Sequence, residues 1–184
     1  MKTSLVTTKT KWSVDQAHSE IDFKIRHLMI SFVKGTFKTF DANITTNLKD
    51  FTTAEIDLWI DASSIDTGDA TRDSHLKSAD FLNVEKYKQI LFKSKSIGLT
   101  DKDGILELSG VLSMLGITET VKLNVEFGGI INDPWGNEKA GFTVTGKINR
   151  NYWGLKWKTP RATGGILVGD DITISCEVEL TNAG

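Results

Sequence analysis

Residues 15–29 read DQAHSEIDFKIRHLM. From Ser19 onward the run alternates, with Ile21, Phe23 and Ile25 on one face and Asp22, Lys24 and Arg26 on the other. A period of two is the mark of a strand with one buried and one solvated side. The next position on the apolar side is His27, an ionisable ring in line with three hydrocarbons. The same period returns along the chain. Ala54, Ile56, Leu58 and Ile60 share a face in 54–60, and Val121, Leu123, Val125 and Phe127 share one in 121–127. Ala140, Phe142, Val144, Gly146 and Ile148 do so in 140–148, as do Ile172, Ile174, Cys176, Val178 and Leu180 in 172–180. Less regular versions at 36–46, 89–97 and 104–112 bring the count to eight with 20–30, and 10–15 has space for one more.

Turn signals separate these runs: Lys49-Asp50, Asp101–Gly104, Asp133–Asn137 and Gly169-Asp170-Asp171. Each suits a short antiparallel connection. Residues 69–88, DATRDSHLKSADFLNVEKYK, break the alternation, and Leu76, Ala79 and Phe81 stand at helix-compatible spacing. One or two short helices are therefore expected as an insert in an all-β meander. Eight antiparallel strands must close into a barrel or stack as a sandwich to manage their edges. The pattern admits both, and the mixture of Phe with Ala and Gly on the inward faces favours a barrel, whose lumen at this strand number either fills with side chains or holds one slender ligand.

Length and charge narrow the function. The 184 residues fit one domain, 1–184, with 1–11 expected as a loosely ordered N-terminal extension. A formal net charge of −2, with 22 basic against 24 acidic residues, gives no basic excess for gripping nucleic acid. A single cysteine, Cys176, permits no internal disulfide. The opening MKTSLVTTKTKW has no apolar signal core, and no run is long enough for an integral membrane segment. The expectation is a cytoplasmic protein, or a periplasmic one if a leader has been trimmed.

Chemical equipment is sparse. His18, His27 and His75 lack zinc-site spacing, and neither CxxC nor HExxH occurs, so no metal is expected. Cys176 lies inside an apolar strand, where a thiol behaves as a small hydrophobe. There is no GxSxG nucleophile elbow, and the Gly-rich run 163–169 lacks the ending of a phosphate loop. Asp57 and Asp61 read as a solvated strand face, and the aromatic cluster 152–157 (YWGLKW) as a plug at a barrel end. No catalytic residues and no cofactor are expected, and an apolar ligand is preferred to a reaction.

Several motifs together resemble one family. Trp12-Ser13-Val14-Asp15-Gln16-Ala17-His18-Ser19, then Ile21, Phe23, His27 and Gly35-Thr36-Phe37, are similar to the opening of the YceI-like proteins. Ala62–Gly68 (ASSIDTG), Arg72–Leu76 (RDSHL) and Ala79–Leu82 (ADFL) match its most distinctive stretch. Phe92-Lys93-Ser94, Gly110-Val111-Leu112, Gly141-Phe142, Ile148-Asn149-Arg150, Trp153-Gly154-Leu155 and Val168-Gly169-Asp170 follow in order. The resemblance covers roughly 12–180. It implies a lipocalin-like, extended eight-stranded antiparallel barrel with a short helical insert at about 69–88. It also implies a polyisoprenoid or similar long apolar lipid held along the axis, and a homodimer.

The alternation and the resemblance together nominate Phe23, Ile25, Phe37, Ile56, Leu58, Phe92, Leu123, Val125, Phe142 and Val144 as lumen residues. His27, Arg72, His75 and Arg150 are candidates for contact with a polar head group. For three of them a structural role stands beside that one. In that role His27 only caps the core, Arg72 and Asp73 pin the insert, and Arg150 stacks on Trp153. The rival readings are an enzyme acting on an isoprenoid or quinone-like substrate in the same lumen, and a solid barrel serving as a stress-related interaction module.

Overall fold

The computed structural model describes residues 8–156 and 168–184. It contains eleven strand segments: β1 (Lys9–Val14), β2 (Glu20–His27), β3 (Ser31–Phe37), β4 (Phe40–Asn47), β5 (Asp50–Asp61), β6 (Ile65–Asp66), β7 (Gln89–Leu99), β8 (Ile105–Met114), β9 (Ile117–Asn132), β10 (Glu138–Asn149) and β11 (Val168–Asn182). One helix, α1 (Ala70–Lys77), lies between β6 and β7. All pairings are antiparallel, and β1 joins both β4 and β11, which closes the sheet.

Three pairs of segments are single strands broken by a corner: β1 with β2, β3 with β4, and β5 with β6. Counted this way the protein is an eight-stranded barrel in chain order. The breaks are made by short side chains that offer the backbone an alternative partner. Asp15 accepts from the Ala17 amide at the first corner, and Asp61 from the Ser63 amide at the third. The corners are tied to neighbouring strands at one height. Lys38 N donates to Ser64 O at 3.2 Å, and Asp61 N to Thr39 O at 2.9 Å. Gln16 Nε2 reaches Phe40 O at 2.9 Å.

Two expectations, the loose N-terminal residues and the turn at Gly169-Asp170-Asp171, need correction. Lys9–Lys11 are not loose: they pair with Asn47, Thr46 and Thr45 of β4, because barrel closure needs their backbone groups. Residues 1–7 lie outside the described residues. Gly169-Asp170-Asp171 is not a turn but the start of β11, with a register shift between Val168 and Ile172 against β2. Phe127 stays in row with Val125, opposite Phe142 and stacked on it at 5.2 Å, but beside the extra residue Gly128 of β9 it is half exposed. The insert holds a single helix, capped by the Asp69 carboxylate on the Arg72 amide, and continues as turns.

One end is plugged by Trp12, Ile44, Phe51, Ala140 and Leu180. Trp12 Nε1 donates to Thr46 Oγ1 at 2.9 Å, which satisfies a fully buried indole. At the other end the wall is interrupted. There β3 pairs with β6 only at Thr36 and Phe37, and Leu76, Phe81, Leu82 and Val84 of the insert pack into the core beside the gap. Two glycines let aromatic rings lie flat on the wall: a Cβ at Gly35 would collide with the Phe23 ring, and one at Gly110 with the Phe92 ring.

Outside the first corner, Lys139 Nζ donates to Asp15 at 2.6 Å and lies 3.5 Å from Glu179. Lys139 and then His18 hold the Asp15 carboxyl far below the usual carboxylate range, and Asp15 in turn raises the Lys139 ammonium. A depressed acid contributes stability that is complete above its unfolded pKa, near ~4, and is lost as the pH falls through the folded value. The raised amine contributes below its unfolded pKa, near ~10.4, and loses that contribution as the pH climbs through its folded value. Lys139→Met is therefore expected to lower the urea midpoint at neutral pH and to flatten the loss of stability below pH ~4. Parallel midpoint-against-pH curves for the two proteins would remove this pair from the acid response.

Candidate functional site

Inward-facing side chains of all eight strands leave a cavity of about 510 Å³. Ligand sites run from ~300 to ~1,000 Å³, so this volume suits a drug-sized or slender chain molecule. All ten nominated lumen residues line it: Phe23 and Ile25 on β2, Phe37 on β3, Ile56 and Leu58 on β5, Phe92 on β7, Leu123 and Val125 on β9, and Phe142 and Val144 on β10. Leu106, Leu108 and Leu112 of β8, and Ile172, Ile174, Cys176 and Val178 of β11, complete the wall. Their alternation was visible in 104–112 and 172–180, and they were not singled out. Leu76 of α1, and Phe81 and Leu82 of the turns that follow it, reach the cavity from the insert. Leu155 and Val168 also line it, and no local pattern marks them.

The lining is hydrocarbon over most of its extent. Cys176 does not supply chemistry, because burial pushes its thiol up to about 12, so the nucleophilic thiolate is scarce at neutral pH. The polar groups gather toward the end where the wall is interrupted. His27 terminates the inward row of β2, opposite Val168, and is solvent-exposed while lining the mouth. It stands where an ionisable ring can meet both water and a ligand.

Arg72 lines the cavity from α1, and donates from Nε to Thr67 Oγ1 at 2.7 Å and from Nη2 to Thr67 O at 2.8 Å. Asp73 accepts from Thr67 N at 2.9 Å and from Thr67 Oγ1 at 2.5 Å. Turn hydrogen bonds through Thr67 thus pin the insert, and Thr67 joins the lining as a polar residue that sequence reasoning missed. His75, also on α1, has Nε2 3.5 Å from Asp80 and its ring edge-on to Phe81 at 5.5 Å.

Arg150 differs from the expectation of stacking on Trp153. It is buried, and its donors are directed at the chain: Nε to Gly169 O at 2.7 Å, Nη1 to Leu155 O, and Nη2 to Val168 O at 3.4 Å and Asp170 at 3.5 Å. Desolvation lowers its pKa, and Asp170 opposes that shift. Three carbonyls take a fixed cation, so Arg150 is first a fastener between β11 and the turn after β10.

One group resembles a metal site. Asp15, His18 and Glu179 bring three ligand atoms within 4.8 Å of one another. Lys139 already pairs with both carboxylates, and the group lies apart from the cavity lining. Among the described residues no helix is long and apolar enough to cross a membrane.

Comparison with known proteins agrees with this architecture. A family model described as the YceI-like domain matches residues 12–180. A UPF0312 protein of Staphylococcus aureus strain USA300 is 36% identical over 173 residues, covering 94% of this chain and 98% of that protein. The crystal structure of a Campylobacter jejuni YceI protein superposes with a TM-score of 0.74 at 33% identity, covering 92% of this chain and 96% of that one. A polyisoprenoid binding domain from Saccharophagus degradans superposes with a TM-score of 0.66, covering 93% and 98% of the two chains. At 14% identity that last likeness is one of fold.

Proposed function

The chain belongs to the YceI-like domain family, and from that premise we propose that it holds a polyisoprenoid or similar long-chain lipid in the barrel, without catalysis. The observation that carries the reading is the cavity of about 510 Å³, walled mainly by Ile, Leu, Val and Phe, with His27, Thr67, Arg72, His75 and Arg150 among its few polar lining residues. A prenyl chain is slender, apolar and methyl-branched. Burying it gains about 0.8 kcal/mol per methylene equivalent before ordering costs are subtracted. The family likeness and the polyisoprenoid-binding relative of the same fold support the same class of ligand.

In this reading the head group lies at the mouth, within reach of His27, Arg72 and His75. Arg72 suits a phosphate or hydroxyl: Nε and Nη2 are occupied by Thr67, which aims the guanidinium and limits its freedom. Arg150 helps shape the mouth through its carbonyl contacts and is assigned no ligand bond. Native mass spectrometry of freshly purified protein, with organic extraction of what dissociates, tests the reading. Bound species separated by isoprene-unit masses support it. A protein that neither carries nor takes up added prenyl lipid overturns it, in favour of an interaction module. Arg72→Met is expected to weaken a prenyl phosphate by about 10-fold, the scale of one charge-assisted hydrogen bond, and to leave the corresponding hydrocarbon unchanged. Equal losses for both ligands would refute the head-group role. The reading also takes the protein as a cytoplasmic homodimer, which light scattering and cell fractionation check.

A further inference from the structure

The turn between β2 and β3 carries Leu28, Met29, Ile30 and Phe32, all exposed, with Ile30 at 82%. Single exposed hydrophobes are ordinary, but four within five residues form a patch. The backbone beneath is strained for these residue types. Leu28 and Met29 have φ of 51° and 59°, and Ile30 N donates to His27 O at 3.2 Å. A turn with two positive central φ values favours Asn-Gly. Leu28 and Met29 remain about half exposed, so burial offsets little of that strain.

Charge is sorted along the same hairpin. Residues 23–35 hold Lys24, Arg26 and Lys34 and no carboxylate, in a chain whose net charge is −2. Lys24 Nζ and Arg26 Cζ lie 4.9 and 4.7 Å from the Phe32 ring centroid, so the cations stand beside and behind the apolar tip. At ~3.3 Å per residue they sit roughly 7–13 Å from the end of the hairpin, the depth of lipid headgroups when a tip enters the acyl boundary. Most carboxylates at this end are engaged: Asp66 pairs with Lys38, Asp69 caps α1, Asp73 holds Thr67, and Asp170 meets Arg150 and Asn151, while Asp171 is exposed. Ile25, His27 and Val33 of the same hairpin line the cavity, so the patch borders its opening.

We infer that the β2–β3 tip docks on a bilayer bearing anionic headgroups and seats the cavity mouth against it. An apolar ligand then passes between membrane and barrel with little exposure to water, a role that rests on the lipid-binding reading above. Docking itself is measured separately. The full chain is floated with vesicles of phosphatidylcholine, with or without phosphatidylglycerol, and uptake of N-phenylnaphthylamine into the cavity is followed by fluorescence. The parent protein is expected to float with phosphatidylglycerol vesicles, and less so without that lipid or at high salt. Leu28→Asn with Ile30→Glu, which replaces only exposed side chains and suits the positive φ, is expected to partition at least ~10-fold more weakly with probe uptake unchanged. Failure of the parent to float while it takes up probe overturns docking and leaves the cavity reading intact. Equal flotation of parent and variant overturns it too, as does a variant that alters only the oligomeric state, which would make the tip a contact between copies of the chain. Loss of probe uptake with flotation retained refutes the cavity reading and supports the docking tip.

Discussion

Ala42→Trp is expected to weaken prenyl-lipid binding by about 30-fold or more while the barrel stays folded. Ala42 lines the cavity from β4, opposite Leu58 on β5, and its methyl group is among the smallest surfaces in the wall. An indole there occupies volume that the ligand needs. Excluding as few as three methylene equivalents, at ~0.8 kcal/mol each, removes about 2.4 kcal/mol, and each 1.4 kcal/mol is tenfold. Small-to-large changes in packed cores cost about 1–3 kcal/mol, and a ring that extends into the cavity should cost near the low end of that range. Titration of prenyl lipid against parent and variant, with urea midpoints as the control for folding, gives both numbers. Undiminished binding by a folded variant would mean that the ligand lies elsewhere.

The largest effect on stability is expected at Trp153. It is almost wholly buried in the main core, and its Nε1 donates to Leu112 O at 2.8 Å. Trp153→Ala should cost about 3–5 kcal/mol for the lost packing and cavity. The orphaned carbonyl of Leu112 adds to that cost. Against a total of ~5–15 kcal/mol for a natural domain, such a loss leaves the variant near unfolding. Trp153→Phe keeps a ring and loses the hydrogen bond, so it should forfeit a smaller share. Denaturant midpoints for the three proteins separate packing from hydrogen bonding. A small loss for Trp153→Ala would mean that the turn after β10 relaxes onto β8 and β9 without its anchor.

Much of the wall was legible because strand alternation is a local property. Ile21, Phe23 and Ile25 face inward for the same reason that Asp22, Lys24 and Arg26 face out, and no distant residue is needed to say so. Phe127 marks the limit of that rule. Opposite Phe142 it keeps the row of Val125, but β9 carries one extra residue, Gly128, directly after it, and the ring ends half exposed. Gly169-Asp170-Asp171 has turn composition, yet Arg150 takes the Gly169 carbonyl and the segment pairs as strand. A tertiary contact there outweighed a local preference.

His27 illustrates both sides. Its period-two place put it at the end of an apolar row, and the structure adds that this end is the mouth, beside Val168 and within the same lining as Arg72. Arg150 could not be read in advance, since its acceptors, Leu155, Val168 and Gly169, lie 5 to 19 residues further along the chain.

The sequence by itself therefore determined the strand class, the inward set on most strands and the family. Each follows from residue order over spans no longer than a strand or a motif. Only the tertiary structure decided where three strands bend, which end stays open and whether the lumen fills or leaves a cavity. Those outcomes depend on strand tilt and on side-chain volumes summed around a closed ring, and no single segment contains that sum.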